Sequence, residues 1–179
     1  MVRRGARIIM IIIPISTTKK IDDAIIEKIR NKLNSLLFVD AVYPAVKIGV
    51  RENGDSYPQL YAQLEKSKII DLTPSSRWKG YMFFEKNGFK SHEEKNIYNF
   101  SLIFWGQLNA IDENKQEDYT SVLLAETLEI LRNLNCYDMS IQEEDCFEKY
   151  NLHDSKKRMF MYPYTEFKIN FSINGFVDC

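Results

Sequence analysis

Two histidines, three cysteines and a few short runs of charge are the residues of this 179-residue chain whose types could do chemistry. His92 stands in Lys90-Ser91-His92-Glu93-Glu94-Lys95, the composition of a solvated hairpin tip, and His153 stands in the polar Asn151-Leu152-His153-Asp154. Histidine is also a common surface residue, so neither is expected to be catalytic. Cys136, Cys146 and His153 could offer three ligands to zinc, but their spacing matches no tight ligand pair and a fourth ligand is missing. An odd cysteine count without close spacing argues against a disulfide framework and for a reducing intracellular environment. Cys179 reads as a free thiol.

The seven glycines are scattered singly, and none lies in a GxGxxG or GxxxxGK[ST] setting where backbone N–H groups could cradle a phosphate. No GxSxG elbow or HExxH helix is present. Glu143-Glu144-Asp145 and Asp112-Glu113 could supply carboxylates, but adjacent carboxylates in polar loops are usually solvated charge. Lys156-Lys157-Arg158 is a short basic run in a chain of net charge -1, which argues against general nucleic-acid affinity. The expectation is therefore no catalytic centre, no cofactor and no metal.

The elements that would position any site are clearer. Thr165–Asn174 alternates without error, with Phe167, Ile169, Phe171 and Ile173 on one face and Lys168, Asn170, Ser172 and Asn174 on the other. Such alternation predicts a strand with one side on a core and one side facing water or a partner. Ile21, Ile25, Ile29, Leu33 and Leu36 repeat at helical spacing, predicting a helix over Lys19–Leu37 with Asp22 and Asp23 in its first turn. Asp40, Tyr43 and Pro44 are expected to mark its exit. Strands are predicted at Val46–Arg51 and Leu60–Glu65, joined as a hairpin by Asn53-Gly54. Two more are predicted at Trp78–Lys86, closed by Asn87-Gly88, and at Tyr98–Gln107, after a polar loop around Ser91–Asn96. An acidic connector, Asn109–Asp118, leads to a helix over Tyr119–Leu134. Met139–Glu143 is expected as a short strand and Cys146–Met161 as an irregular charged stretch.

At 45% hydrophobic, 27% charged and 13% aromatic, the composition suits a soluble globular protein with a large sheet. The reading is a single α+β domain over residues 16–179, with a mainly antiparallel sheet and two amphipathic helices packed together on one of its faces. Residues 1–15 form a separate apolar arm or strand. The run Ile8–Ile13 is too short to span a bilayer, and Pro14, Ser16 and two lysines follow it rather than a cleavage site, so neither a membrane span nor a signal peptide is expected. Met1 and Met10 are both candidate starts.

Taken in order, the helix Lys19–Leu37, the strands Val46–Arg51, Leu60–Glu65, Trp78–Lys86 and Tyr98–Gln107, the helix Tyr119–Leu134 and the strand Thr165–Asn174 resemble the tail terminator (tail completion) proteins of tailed bacteriophages. Related neck and head–tail joining proteins share the pattern. The arm before Pro14 and the long stretch Cys136–Tyr162 depart from it. Members form rings, usually hexameric, that cap the tail tube and meet the head connector. The resemblance implies a structural virion protein of the tail or neck, assembled in the host cytoplasm. Its partners would be its own copies and the tail-tube or neck/connector proteins, with no specific nucleic acid, no membrane and no enzymatic activity.

The competing class is a small-molecule-binding or enzymatic α+β domain, and solution mass separates the two, since a ring predicts a multiple of 21.1 kDa. A single-strand nucleic-acid binder ranks last, because the polar face of Thr165–Asn174 carries one positive charge. The expected contacts between subunits are Ile11, Ile12 and Ile13 of the arm, an aggregation hazard if left bare, and the segment Arg77, Trp78, Lys79 and Tyr81, with Trp78 as anchor.

Overall fold

The computed structural model describes residues 21–62, 68–76, 78–92, 95–112, 119–152 and 157–175. The first helix, α1 (Ile21–Leu33), places Asp22 and Asp23 in its first turn and Arg30 and Lys32 in its last, the order its dipole favours. Ile26, Ile29 and Leu33 are buried at spacings of three and four. It ends before the predicted Leu37, where residues 34–36 close into turns on the carbonyls of Arg30, Lys32 and Leu33. Lys19 and Lys20 lie outside the described residues.

The predicted exit is instead a strand, β1 (Ala41–Ala45), which pairs in parallel with β5 (Gly80–His92). Pro44 fits there because β1 is an edge strand, where a missing N–H breaks no ladder on the open side. The strands β2 (Lys47–Val50) and β3 (Ser56–Ala62) form the predicted hairpin, turning through Gly54 at a φ of 85°. A strand absent from the sequence reading, β4 (Lys68–Asp71), pairs with β3 and completes a three-stranded sheet ordered β2-β3-β4. Leu64 and Glu65, expected in the second strand, lie outside the described residues.

The long hairpin of β5 and β6 (Lys95–Gln107) is the spine of the molecule. Asn87-Gly88 does not end β5 as predicted. The register shifts between Lys86 and Phe89, and Gly88 takes a φ of 105°, which reads as a bulge after which the strand resumes. Two helices follow, the short α2 (Leu108–Ile111), at the start of the predicted acidic connector, and the longer α3 (Thr120–Asn133). The rest of that connector, residues 113–118, lies outside the described residues.

Asn135 closes α3 in a left-handed conformation at a φ of 61°. Its N–H reaches Arg132 and that of Cys136 reaches Leu131, the paired bonds of a Schellman cap with asparagine in the usual glycine position. The strands β7 (Tyr137–Gln142) and β8 (Tyr164–Gly175) finish a five-stranded sheet ordered β1-β5-β6-β8-β7.

The fold is α+β with a mainly antiparallel sheet, and both long helices lie on one face. Ile26, Ile29 and Leu33 of α1 and Leu124, Leu128 and Leu131 of α3 meet Phe84, Leu102, Phe104, Ile169 and Phe171 there. Lys86 fastens the start of α1 to the sheet, with its Nζ 2.6 Å from Asp22 Oδ2 and 2.7 Å from Asp23 Oδ1.

A simple two-layer arrangement would leave the opposite face open, but one end of it is buried too. Tyr57 and Leu60 from the small sheet, Leu72 just beyond it, and Cys146, Phe147, Tyr150 and Leu152 from the segment after β7 cover Tyr81, Phe83, Ile103 and Trp105. The segment Cys146–Met161, expected to be irregular and charged, therefore supplies core. Here the molecule has three layers.

Candidate functional site

The register of the long strands sorts the second face into rows. Tyr81 faces Trp105, and Trp105 faces Glu166. Two residues along, Phe83, Ile103 and Lys168 align, and then Glu85, Ser101 and Asn170. The rows run from aromatic to polar, and charged side chains stand at the boundary. Beyond it, Asn87 donates to Ser101, Ser101 to Asn170 and Asn170 to Ser140, giving a hydrogen-bonded chain across four strands.

Glu85 is 3% exposed, and burying a carboxyl is costly without hydrogen-bonding or charged partners. It has three. Tyr150 Oη donates to Oε1 at 2.5 Å, while Lys149 Nζ lies 2.5 Å and Lys168 Nζ 3.6 Å from Oε2. Burial and the neighbouring carboxylate push the Tyr150 hydroxyl far above the ordinary tyrosine range. The cluster ties β5, β8 and the Cys146–Tyr150 segment together electrostatically.

Glu166 is the second buried carboxyl of this face. Its Oε1 accepts from the backbone N–H of Cys146 at 3.1 Å, and its Oε2 has no hydrogen-bond partner among the described residues. Burial raises its pKa to about 7, although the Cys146 N–H bond works the other way. Burial, with Glu166 beside it, also pushes the Cys146 thiol up, so it is held as the unreactive thiol. Tyr81 Oη, buried near Glu166, likewise has no partner among the described residues. A cleft of about 500 Å³ opens over Glu166, walled by Phe147, Tyr150 and Phe160.

Neither glutamate was singled out in the sequence. Glu85 ends the apolar run Tyr81-Met82-Phe83-Phe84, and Glu166 opens the alternating strand just before Phe167. A carboxylate inside an apolar run was the available signal.

The expected interface residues fall in different places. Ile11, Ile12, Ile13 and Arg77 lie outside the described residues. Trp78 is 36% exposed and Lys79 is exposed. Tyr81 is corrected, because it points into the second core with its ring 5.6 Å from Trp105 and 6.3 Å from Tyr43. It presents no surface on this chain.

Trp78 has company. Asp40 Oδ2 accepts from the N–H groups of Lys79 and Gly80, Gln107 N–H donates to Lys79 O, and Leu108 N–H donates to Pro163 O. These bonds bring the loops around residues 37–40, 78–79 and 161–163 to one end of the sheet. Leu37, Met161 and Tyr162 on those loops are exposed large apolar side chains. A second exposed apolar pair, Ile48 and Val50, lies on the edge strand β2.

The other chemical candidates are dispersed. Cys136 sits in the helix-side core and Cys146 in the opposite one, so the sheet separates two of the three conceivable zinc ligands, and His153 lies outside the described residues. His92 ends β5. Glu143, Glu144 and Asp145 are exposed, as are Lys157 and Arg158, while Glu113, Lys156 and Cys179 lie outside the described residues. No family model matches the chain, and no curated protein matches its sequence.

Proposed function

We propose that this chain is a structural subunit of a homo-oligomeric ring, hexameric by its resemblance to tail terminator and neck proteins, that closes a bacteriophage tail tube and joins it to the head connector. In this reading it acts in the virion and turns over no substrate. The order of helices and strands supports the class.

The observation that carries the assembly role is the presence of two unlike apolar surfaces, the loop end with Leu37, Trp78, Met161 and Tyr162 and the β2 edge with Ile48 and Val50. A head-to-tail ring uses two different patches per subunit, each meeting the other kind on its neighbour. Exposed β-branched residues on an edge strand are a liability for a lone subunit and an asset once a neighbour covers them.

Solution mass tests the reading. Light scattering on the purified full chain, alone and with candidate tube and connector proteins, is expected to give a closed multiple of 21.1 kDa. Removing residues 1–15 is expected to weaken that assembly more than folding. A monomer in every mixture would overturn the proposal.

A further inference from the structure

The cleft over Glu166 goes beyond the ring reading and does not depend on it. We propose that it is a binding site for an organic cation that carries N–H donors, a primary ammonium or a guanidinium on a short apolar stem, with the Glu166 carboxylate as its anchor.

Three observations converge on that chemistry. Glu166 is 7% exposed and lines the cleft, and its buried Oε2 has no hydrogen-bond partner among the described residues. A buried carboxylate oxygen left unsatisfied costs free energy that a charged donor recovers. The other carboxylate oxygen accepts from Cys146 N–H, and the backbone of Asp145 also bonds to the carboxyl, which holds the side chain in place.

The charge of the lining agrees. Asp145, Glu148 and Glu166 contribute three carboxyls, while of the two lysines that line the cleft Lys149 is engaged by Glu85. The surplus is negative, as a cation requires. The walls complete the fit, because Phe147 and Phe160 pack with ring centroids 5.2 Å apart beside Tyr150. Such walls accept an alkyl stem and favour a cation against their ring faces. No bond is made or broken in this site, since the chemistry is recognition alone.

The probe is n-butylammonium chloride, with butyramide and butyrate as neutral and anionic controls, titrated calorimetrically into the full-length chain. The groups facing Glu166 are Asp145 and Cys146 from the segment after β7, Tyr81 from β5 and Lys168 on its own strand. Binding of the ammonium is expected to be saturable and about tenfold tighter near pH 8 than near pH 6, because it requires the ionised carboxylate. It should also release protons near pH 7, seen as a buffer-dependent heat.

Glu166→Gln keeps an acceptor for Cys146 N–H and is expected to weaken binding at least about tenfold. Should that variant fail to fold, proton release by the unmodified chain decides the matter. Absence of saturable binding, equal binding of butyramide, equal affinity in the folded glutamine variant, or binding without proton release would each overturn the proposal.

Discussion

The two faces of the central sheet are built on opposite principles. The helix face is apolar at its centre, with Phe84, Leu102, Phe104, Ile169 and Phe171 under two amphipathic helices. It is polar at its margins, where Lys86 meets Asp22 and Asp23 and Thr165 meets Thr120. The other face begins with Tyr81, Trp105 and Glu166, passes through Phe83, Ile103 and Lys168, and ends in Glu85, Ser101 and Asn170, with Asn87 beyond them. Apolar packing is non-directional, so the first face needs only volume and pattern. Buried charge is directional and leaves groups that must be matched, so the second face specifies particular partners.

The largest effect should come from emptying the helix face. Phe171→Ala is expected to cost about 3–5 kcal/mol and Leu128→Ala about 2–5 kcal/mol, because each removes a buried side chain from a packed core. Urea denaturation followed by circular dichroism measures both. Unchanged midpoints in the two variants would mean that the helices do not rest on this face.

The next effect belongs to Glu166 and depends on pH. A glutamate titrates near 4.5 in the unfolded chain and at about 7 here, so between those values the native state holds the proton more tightly. Its contribution is fully present below about pH 4.5 and is lost as pH rises through about 7, on the order of 3 kcal/mol in all. Glu166→Gln is expected to flatten that part of the stability profile. A slope equal to that of the unmodified chain would place the titration elsewhere.

These two predictions also divide what the sequence made legible from what it did not. The helix face follows from periodicity, since Ile29, Leu33 and Leu36, Leu124, Leu128 and Leu131, and the alternation from Phe167 to Ile173 all fall on it, although in α1 Ile26 rather than Ile25 is fully buried and Ile21 is exposed. The second face depends on register. That Trp105 stands between Tyr81 and Glu166 is a property of three strands distant in sequence, and no local pattern encodes it.

Apolar residues at consecutive positions, Tyr81 to Phe84 and Leu102 to Trp105, were the available sign that both faces are covered. Asn87-Gly88 misled for a physical reason, because the positive φ that suits Gly88 serves a bulge as well as a turn. Tyr43-Pro44 misled because an edge strand tolerates proline.

A smaller effect should follow from trimming one hydroxyl on the charged boundary. Tyr150→Phe keeps the ring, which packs 6.3 Å from Phe83, and deletes the bond to Glu85 Oε1. Lys149 and Lys168 still compensate the carboxylate. The expected loss is therefore about 1–2 kcal/mol, well short of the cost of a fully orphaned charge. A double-mutant cycle with Glu85→Gln isolates the coupling. A coupling energy of zero would show that the two side chains act independently.

The smallest effect on folding, and the most informative about function, is expected at Trp78. Its side chain is 36% exposed and its backbone N–H bonds to Ser75 O, an interaction that alanine retains. Trp78→Ala should therefore cost no more than about 1 kcal/mol of stability. Buried at the centre of an interface, the same indole would be worth about 2 kcal/mol or more of binding. On the ring reading the variant folds normally while its assembly with its own copies and with tube or connector proteins weakens at least tenfold. Tyr81→Ala supplies the contrast, because its ring belongs to the second core and its loss should appear first in the melting temperature. If Trp78→Ala assembles as well as the unmodified chain, the loop end is ordinary surface, and the β2 edge with Ile48 and Val50 becomes the contact to test.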